Sequence, residues 1–374
     1  MRELGLAVQT MFAELDQRCL DAEFDETFPS TGSFSKKKRK GRTYWYFQGY
    51  EDGKHYTRYA GPADNPEVAT RVERFRSLKA DFTERRRMVA ALKAAGLPSP
   101  DAFTGDLVET LWKAGLFRLR GILVGTLAFQ CYAGLLGVRL PAAHLRTGDV
   151  DIAQFHSVSI SVEDSLPPIL DVLRRVDASF HEVPHQADTR RATAFRNGAG
   201  FLVEFLVPNT SKDEYQGWPT DMPALGGAAA QPLRFLDFLI HSSVRSVLLH
   251  GGGVPVRVPA PERYAVHKLI VAARRRNVPD GRLKADKDLA QAGILIEAMA
   301  PRHHHDLAET WIEAWERGPK WREALAGSLS RMQDDRREML ADAVRRAGRD
   351  LRRDPEKLGF GGSETMPRPP ATRR

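Results

Sequence analysis

The chain has little cysteine, no long hydrophobic run and no surplus of acid. Cys19 and Cys131 lie far apart, so neither a disulfide framework nor a cysteine-bound zinc site is expected. No apolar stretch approaches the ~20 residues that cross a bilayer. The N-terminus, MRELGLAVQTMFAELDQ, sets acids among its apolar positions, unlike a secretory signal. These absences make a cytoplasmic protein without a membrane partner the expectation. Asp and Glu number 48 against 56 Lys and Arg, which leaves a charge of +8. That excess suits an anionic partner such as a polyphosphate or a nucleic acid. The remainder is globular in composition, and 374 residues allow two or three domains.

Residues 1–100 read as an N-terminal module. A helical start precedes Lys36, Lys37, Lys38, Arg39, Lys40 and Arg42, six bases with no acid among them. The aromatic runs TYWYFQ and HYTRY flank an Asp-Gly step, the pattern of a β-hairpin, and residues 66–96 return to a charged helical pattern. Residues 101–260 read as a mixed α/β core. Strands are expected over 117–124, 149–154, 157–162, 191–197, 201–207 and 254–258, with helices over 127–136 and 165–176. Residues 223–232, with two glycines and a run of three alanines after them, read as a flexible loop. A helical domain is expected over 261–355 and a disordered tail over 356–374.

Two carboxylates stand out in the segment TGDVDIA, residues 147–153. On a strand Asp149 and Asp151 share one face, while Val150 and Ile152 point the other way. Two acids so placed repel unless a cation lies between them, and Mg²⁺ (or Mn²⁺) suits a site of carboxylate, water and phosphate oxygens. Taken alone, the pair also fits a solvated edge strand. In FLVEFLVP, residues 201–208, Glu204 is the one charge on an apolar strand. A buried carboxylate needs a cation or a metal, and Arg191 or Arg196 is the alternative partner. Upstream, Gly125 and Thr126 stand where a strand passes into a helix. Glycine lets the backbone approach an anion, and the helix start offers free N–H groups.

A glycine turn, a DxD strand and a third acidic strand residue, in that order, resemble the DNA polymerase β-like nucleotidyltransferase superfamily. The resemblance is closest to bacterial nucleotidyltransferase-fold proteins with a GTxAFxxY motif before TxDxD. The matching residues are Gly125, Thr126, Ala128, Phe129 and Tyr132, then Thr147, Asp149 and Asp151. The resemblance covers about residues 101–290. It departs at Thr126, where serine is commoner, and at Glu204, where aspartate is frequent. It implies an α+β fold: a mixed-sheet nucleotidyltransferase core between the N-terminal β-hairpin and helical module and the C-terminal helical domain. It also implies metal binding by Asp149, Asp151 and Glu204, and an NTP, with ATP first, against Gly125, Thr126 and Thr147.

The helix that begins at Pro261 carries Tyr264, Lys268 and Arg275 close to a single face. The resemblance implies that Lys268 meets the triphosphate and that Tyr264 stacks near the base; an amphipathic helix with solvated bases is the alternative. Asp288 reads as holding a basic residue in place. His303, His304 and His305 point in different directions on a helix and are not expected to share a metal, and Cys131 reads as a buried small residue. Lys37, Lys38, Arg39, Lys40 and Arg42 beside Tyr44 and Tyr46 combine phosphate-binding bases with stacking rings, which points to RNA, tRNA included. Packing of those rings against a helix is the alternative. The function expected is metal-dependent NMP transfer to an acceptor hydroxyl. A nucleotide sensor without turnover, a transferase acting on protein or small molecules, and a pure RNA-binding protein are the competing readings.

Overall fold

The computed structural model of the chain describes residues 1–20, 32–39, 41–51, 54–145, 147–161, 164–209, 217–276, 281–351 and 353–360. Helix α1 (Leu6–Leu20) precedes three antiparallel strands, β1 (Ser33–Arg39), β2 (Arg42–Glu51) and β3 (Lys54–Pro62). The expected hairpin is therefore a three-stranded sheet, and the basic run is itself a strand. Helix α2 (Pro66–Ala94) follows, opened by Asn65, whose side chain accepts from the N–H groups of Glu67 and Val68. Its first half buries Val68, Val72 and Phe75 against Trp45 and Phe47. Its second half buries Met88, Val89 and Leu92 with Phe12 and Leu15 of α1.

The core then runs through α3 (Ala102–Lys113), β4 (Ile122–Leu123), α4 (Gly125–Leu136), β5 (Asp149–Ala153), α5 (His156–Ser161), α6 (Ile169–Arg174), β6 (His181–Pro184), β7 (Ala192–Arg196) and β8 (Leu202–Pro208). It continues with β9 (Thr220–Asp221), β10 (Ala229–Leu233), α7 (Leu236–Ile240), β11 (Ser243–Leu248) and β12 (Val254–Pro259). Five helices follow: α8 (Pro261–Arg275), α9 (Arg282–Met299), α10 (His304–Glu316), α11 (Pro319–Leu329) and α12 (Asp334–Asp350). The mixed sheet is centred on β8. On one edge β8 runs parallel to β5, which in turn pairs antiparallel with β4. Its other edge is shared, antiparallel with β7 over Leu202, Val203 and Glu204 and parallel with β10 over Leu206, Val207 and Pro208. Val150, Ile152, Val203 and Phe205 are fully buried and join the later helices in one hydrophobic core. The class is α+β, as the resemblance implies. Among the described residues, no helix is long and apolar enough to cross a membrane.

Three expectations are corrected. The segment read as a strand over 157–162 is α5; its alternating Ser and Val mimic a period of two, but Ile160 is exposed and the buried Ser159 hydroxyl accepts from Ala224 N–H at 3.0 Å. The segment read as a loop over 223–232 turns at Gly226 and Gly227 and then forms β10. Alanine is a poor strand former by propensity, yet Ala229 and Ala230 are buried in the sheet, and tertiary packing decides. Residues 356–360, read as part of the disordered tail, are packed instead: Trp311 donates its indole N–H to Leu358 O at 3.0 Å, and Phe360 packs on the same ring. Residues 361–374 lie outside the described residues.

Candidate active site

Strands β5 and β8 place the three acids. Their parallel register sets Asp151 beside Glu204 and Asp149 beside Leu202, so all three carboxylates leave the sheet on one face. Each is half-buried. Thr147 donates its hydroxyl to the Asp149 carboxylate and so orients it. Burial, reinforced by Asp149 and Glu204, pushes the Asp151 carboxyl up to about 7, against the pull of Lys268 and Arg275. Burial and Asp149 also raise Glu204. The sequence offered Arg191 or Arg196 as a partner for Glu204. Arg191 instead pairs with Asp221 at 2.7 Å and Asp188 at 3.3 Å, while Arg196 acts on Glu204 only through its field.

The glycine turn closes on these acids. Val124 donates its N–H to Asp151 O at 2.9 Å, which ties the turn to the DxD strand. Gly125 has φ +66, and a Cβ there would land on the Asp151 carboxylate. No side chain caps α4, so its first N–H groups stay available beside the carboxylates. Thr126 Oγ1 accepts from Lys287 Nζ at 3.1 Å. Farther along the same motif, Phe129 and Tyr132 are core residues, and Tyr132 donates to Pro259 O at 2.9 Å.

Helices α8 and α9 bring the bases. Asp288, 2% exposed, accepts from Lys268 and from Arg275, each at 2.5 Å, as expected of a residue that holds bases in place. Two cations on one carboxylate leave a local surplus of positive charge facing Asp151. Tyr264 requires a correction. It is 1% exposed, stacks on Phe129 at 6.1 Å and donates to Gly125 O at 2.9 Å. No face of its ring is open to a base, and its role is to brace the glycine turn. Sequence reasoning missed Lys287, which is half-buried, lies in the field of Asp149 and reaches the turn directly. The signal was the Lys-Asp step at 287–288, read only for its aspartate.

The donor set fits divalent cations: half-buried oxygens on one face, raised by mutual repulsion, with backbone N–H groups adjacent for phosphate. Asp149, Asp151 and Glu204 do not form a tight single-ion cluster, however. Among the described residues, the acids and histidines whose ligand atoms lie within 4.8 Å of one another are Asp106, Glu109 and His250. A wider spacing is natural where two ions ~3.5–4 Å apart are shared by the acids.

The remaining candidates fall elsewhere. Lys37, Lys38, Arg39, Arg42, Tyr44 and Tyr46 lie on β1 and β2, not at the carboxylates, and Lys40 lies outside the described residues. His303 and His305 face Asp306 and Asp350 respectively, in different directions. Cys131 is buried, and burial pushes its thiol up to about 12.

A family model described as Nucleotidyltransferase matches residues 102–316, which contain every acid and base of this site. A second model, a domain of unknown function, matches residues 9–70. No curated protein matches the chain. Among solved structures, the chain is similar to an antigenic nucleotidyltransferase-like protein from Paracoccidioides brasiliensis, at 16% identity over 61% of this chain and 94% of that one. The TM-score is 0.29.

Proposed function

This chain belongs to the nucleotidyltransferase family, and on that premise we propose that it transfers the NMP of an NTP, ATP first, to an acceptor hydroxyl. The acceptor oxygen bonds to the α-phosphorus, the bond from that phosphorus to the bridging β-oxygen breaks, and pyrophosphate leaves. Mg²⁺ or Mn²⁺ at Asp149, Asp151 and Glu204 would supply charge neutralisation and lower the pKa of the attacking hydroxyl. The chain's own groups do the rest. The free N–H groups at Gly125 and Thr126 hold the β- and γ-phosphates, and Lys287, beside Thr126, offsets charge that develops on pyrophosphate. Lys268 and Arg275, braced by Asp288, support the same charge from behind. Glu204, raised by burial and Asp149, is the group suited to receive the hydroxyl proton.

The observation that carries this reading is the contact of Gly125 with Asp151, which joins a phosphate-binding turn to a carboxylate set. RNA, tRNA included, is the acceptor class we favour, on the basic strands β1 and β2. The test is incubation of the protein and total RNA with each α-labelled NTP and Mg²⁺, beside an Asp149→Asn/Asp151→Asn variant. Label in RNA with the wild type alone is the expected result. The longer side chain of Glu204, where aspartate is frequent, favours one other reading, a nucleotide sensor without turnover. Mg²⁺-dependent ATP binding with no label in any acceptor is the result that would replace the transferase by that sensor.

A further inference from the structure

The three-stranded sheet has two unlike faces. Phe34, Trp45, Phe47 and Ala60 form the face packed on α2. Strand alternation and register put the other set together: Lys37 lies opposite Tyr44, Arg39 opposite Arg42, and Tyr46 opposite Tyr59. The rings of Tyr44 and Tyr46 approach Tyr59 at 5.9 and 5.6 Å, and Lys37 Nζ stands 5.2 Å over Tyr46. Tyr59 is 55% exposed and Tyr50, farther along the same face, 70%. By its sequence positions this face carries neither an acid nor an aliphatic residue. The alternative raised by the sequence, that the aromatics merely pack on a helix, therefore holds for Trp45, Phe47 and Tyr56 and fails for Tyr44, Tyr46, Tyr50 and Tyr59.

We propose that this open face binds a single-stranded polynucleotide, with bases stacked on Tyr44, Tyr46 and Tyr59 and phosphates on Lys37, Arg39 and Arg42. Rings among cations, Tyr59 exposed and Tyr44 and Tyr46 half-exposed, without carboxylates, match the two chemistries a single strand offers, a π-face on every base and a charge on every phosphate. A protein partner or a lipid surface would call for aliphatic side chains that this face lacks. A duplex hides its base faces and would engage the cations alone. The proposal rests on the transferase reading only for the strand's role as acceptor; the binding itself needs no NTP.

The experiment is fluorescence anisotropy of the full chain with labelled single-stranded and duplex oligonucleotides of about 16 nucleotides, without NTP or Mg²⁺. Single-strand binding should weaken at least ~10-fold in Tyr44→Ala/Tyr59→Ala and hold in Tyr44→Phe/Tyr59→Phe, since stacking is worth ~1–3 kcal/mol per base. Replacing Lys37, Arg39 and Arg42 by Gln should reduce the salt slope of log K by about 2. Asp149→Asn should bind as the wild type does. Tyrosine variants that bind normally, or a duplex bound as tightly as the single strand, would overturn the proposal. Loss of label transfer with this binding intact would instead count against the transferase reading alone.

Discussion

Asp106, Glu109 and His250 stand closer together than Asp149, Asp151 and Glu204, yet the tighter group is the quieter one. In the first, His250 takes Asp106 at 2.8 Å and Lys113 takes Glu109 at 2.7 Å, so each carboxylate has its own cation or ring. In the second, the strand register forces like charges side by side, and two of the nearby cations, Lys268 and Arg275, are held on Asp288. The difference teaches that proximity of acids is a poor guide to a working site. What marks the second group is repulsion that nearby cations only partly offset, in a half-buried place beside a backbone shaped for an anion.

The comparison breaks most visibly in catalysis. Replacing Asp149 and Asp151 by Asn should lower label transfer by on the order of 10³-fold or more, while Asp106→Asn should leave the rate unchanged. Equal losses in both would erase the distinction. Asp288→Ala strikes the support of the second group. It leaves Lys268 and Arg275 without their anion, and removal of one member of a buried pair costs about 3–5 kcal/mol, to be read from urea midpoints. Gly125→Ala forces a side chain into a left-handed backbone and onto Asp151, with ~1–3 kcal/mol lost and ATP binding weakened.

Smaller effects sharpen the contrast through pH. Burial and the neighbouring acids push the Asp151 carboxyl from its ordinary 3.8 up to about 7, so between those values the folded state holds a proton that the unfolded state releases. Its contribution to stability is therefore fully present below about pH 4 and is lost as pH rises to 7. Thermal melts of the metal-free protein should show that fall, and Asp151→Asn should flatten it. Because a cation binds the ionised form, Mg²⁺ affinity should increase as pH passes through 7. The exposed Asp106 pair should matter least: Asp106→Asn should change stability by less than ~1 kcal/mol.

Much of this was legible in the sequence because it is written in local spacing. DVD two residues apart fixes a shared face, and Gly-Thr after an apolar strand marks an anion-facing turn. The α+β class followed from the same elements. What spacing could not reach was set at long range. The resemblance implied that Tyr264 stacks near the base, but Phe129 and Tyr132 from α4 enclose its ring. Lys287 was hidden for the converse reason: its contact with Thr126 spans 161 residues. The alanines of β10 became a strand only because they are buried in the sheet.

Helix α2 also acts as a ruler. Its apolar contacts with the sheet end at Phe75 and those with α1 start at Met88, about 20 Å apart at 1.5 Å per residue. Polar contacts fill the interval: Lys79 donates to Gly32 O, and Asp81 and Glu84 pair with Arg18 of α1. A strand gripped by the sheet would thus meet the rest of the molecule at a fixed offset, and the enzyme would discriminate acceptors by length as well as by end group. Removing seven residues within 76–84 keeps the helix face and shortens the ruler by about 10 Å, which should shift the shortest acceptor that the enzyme extends.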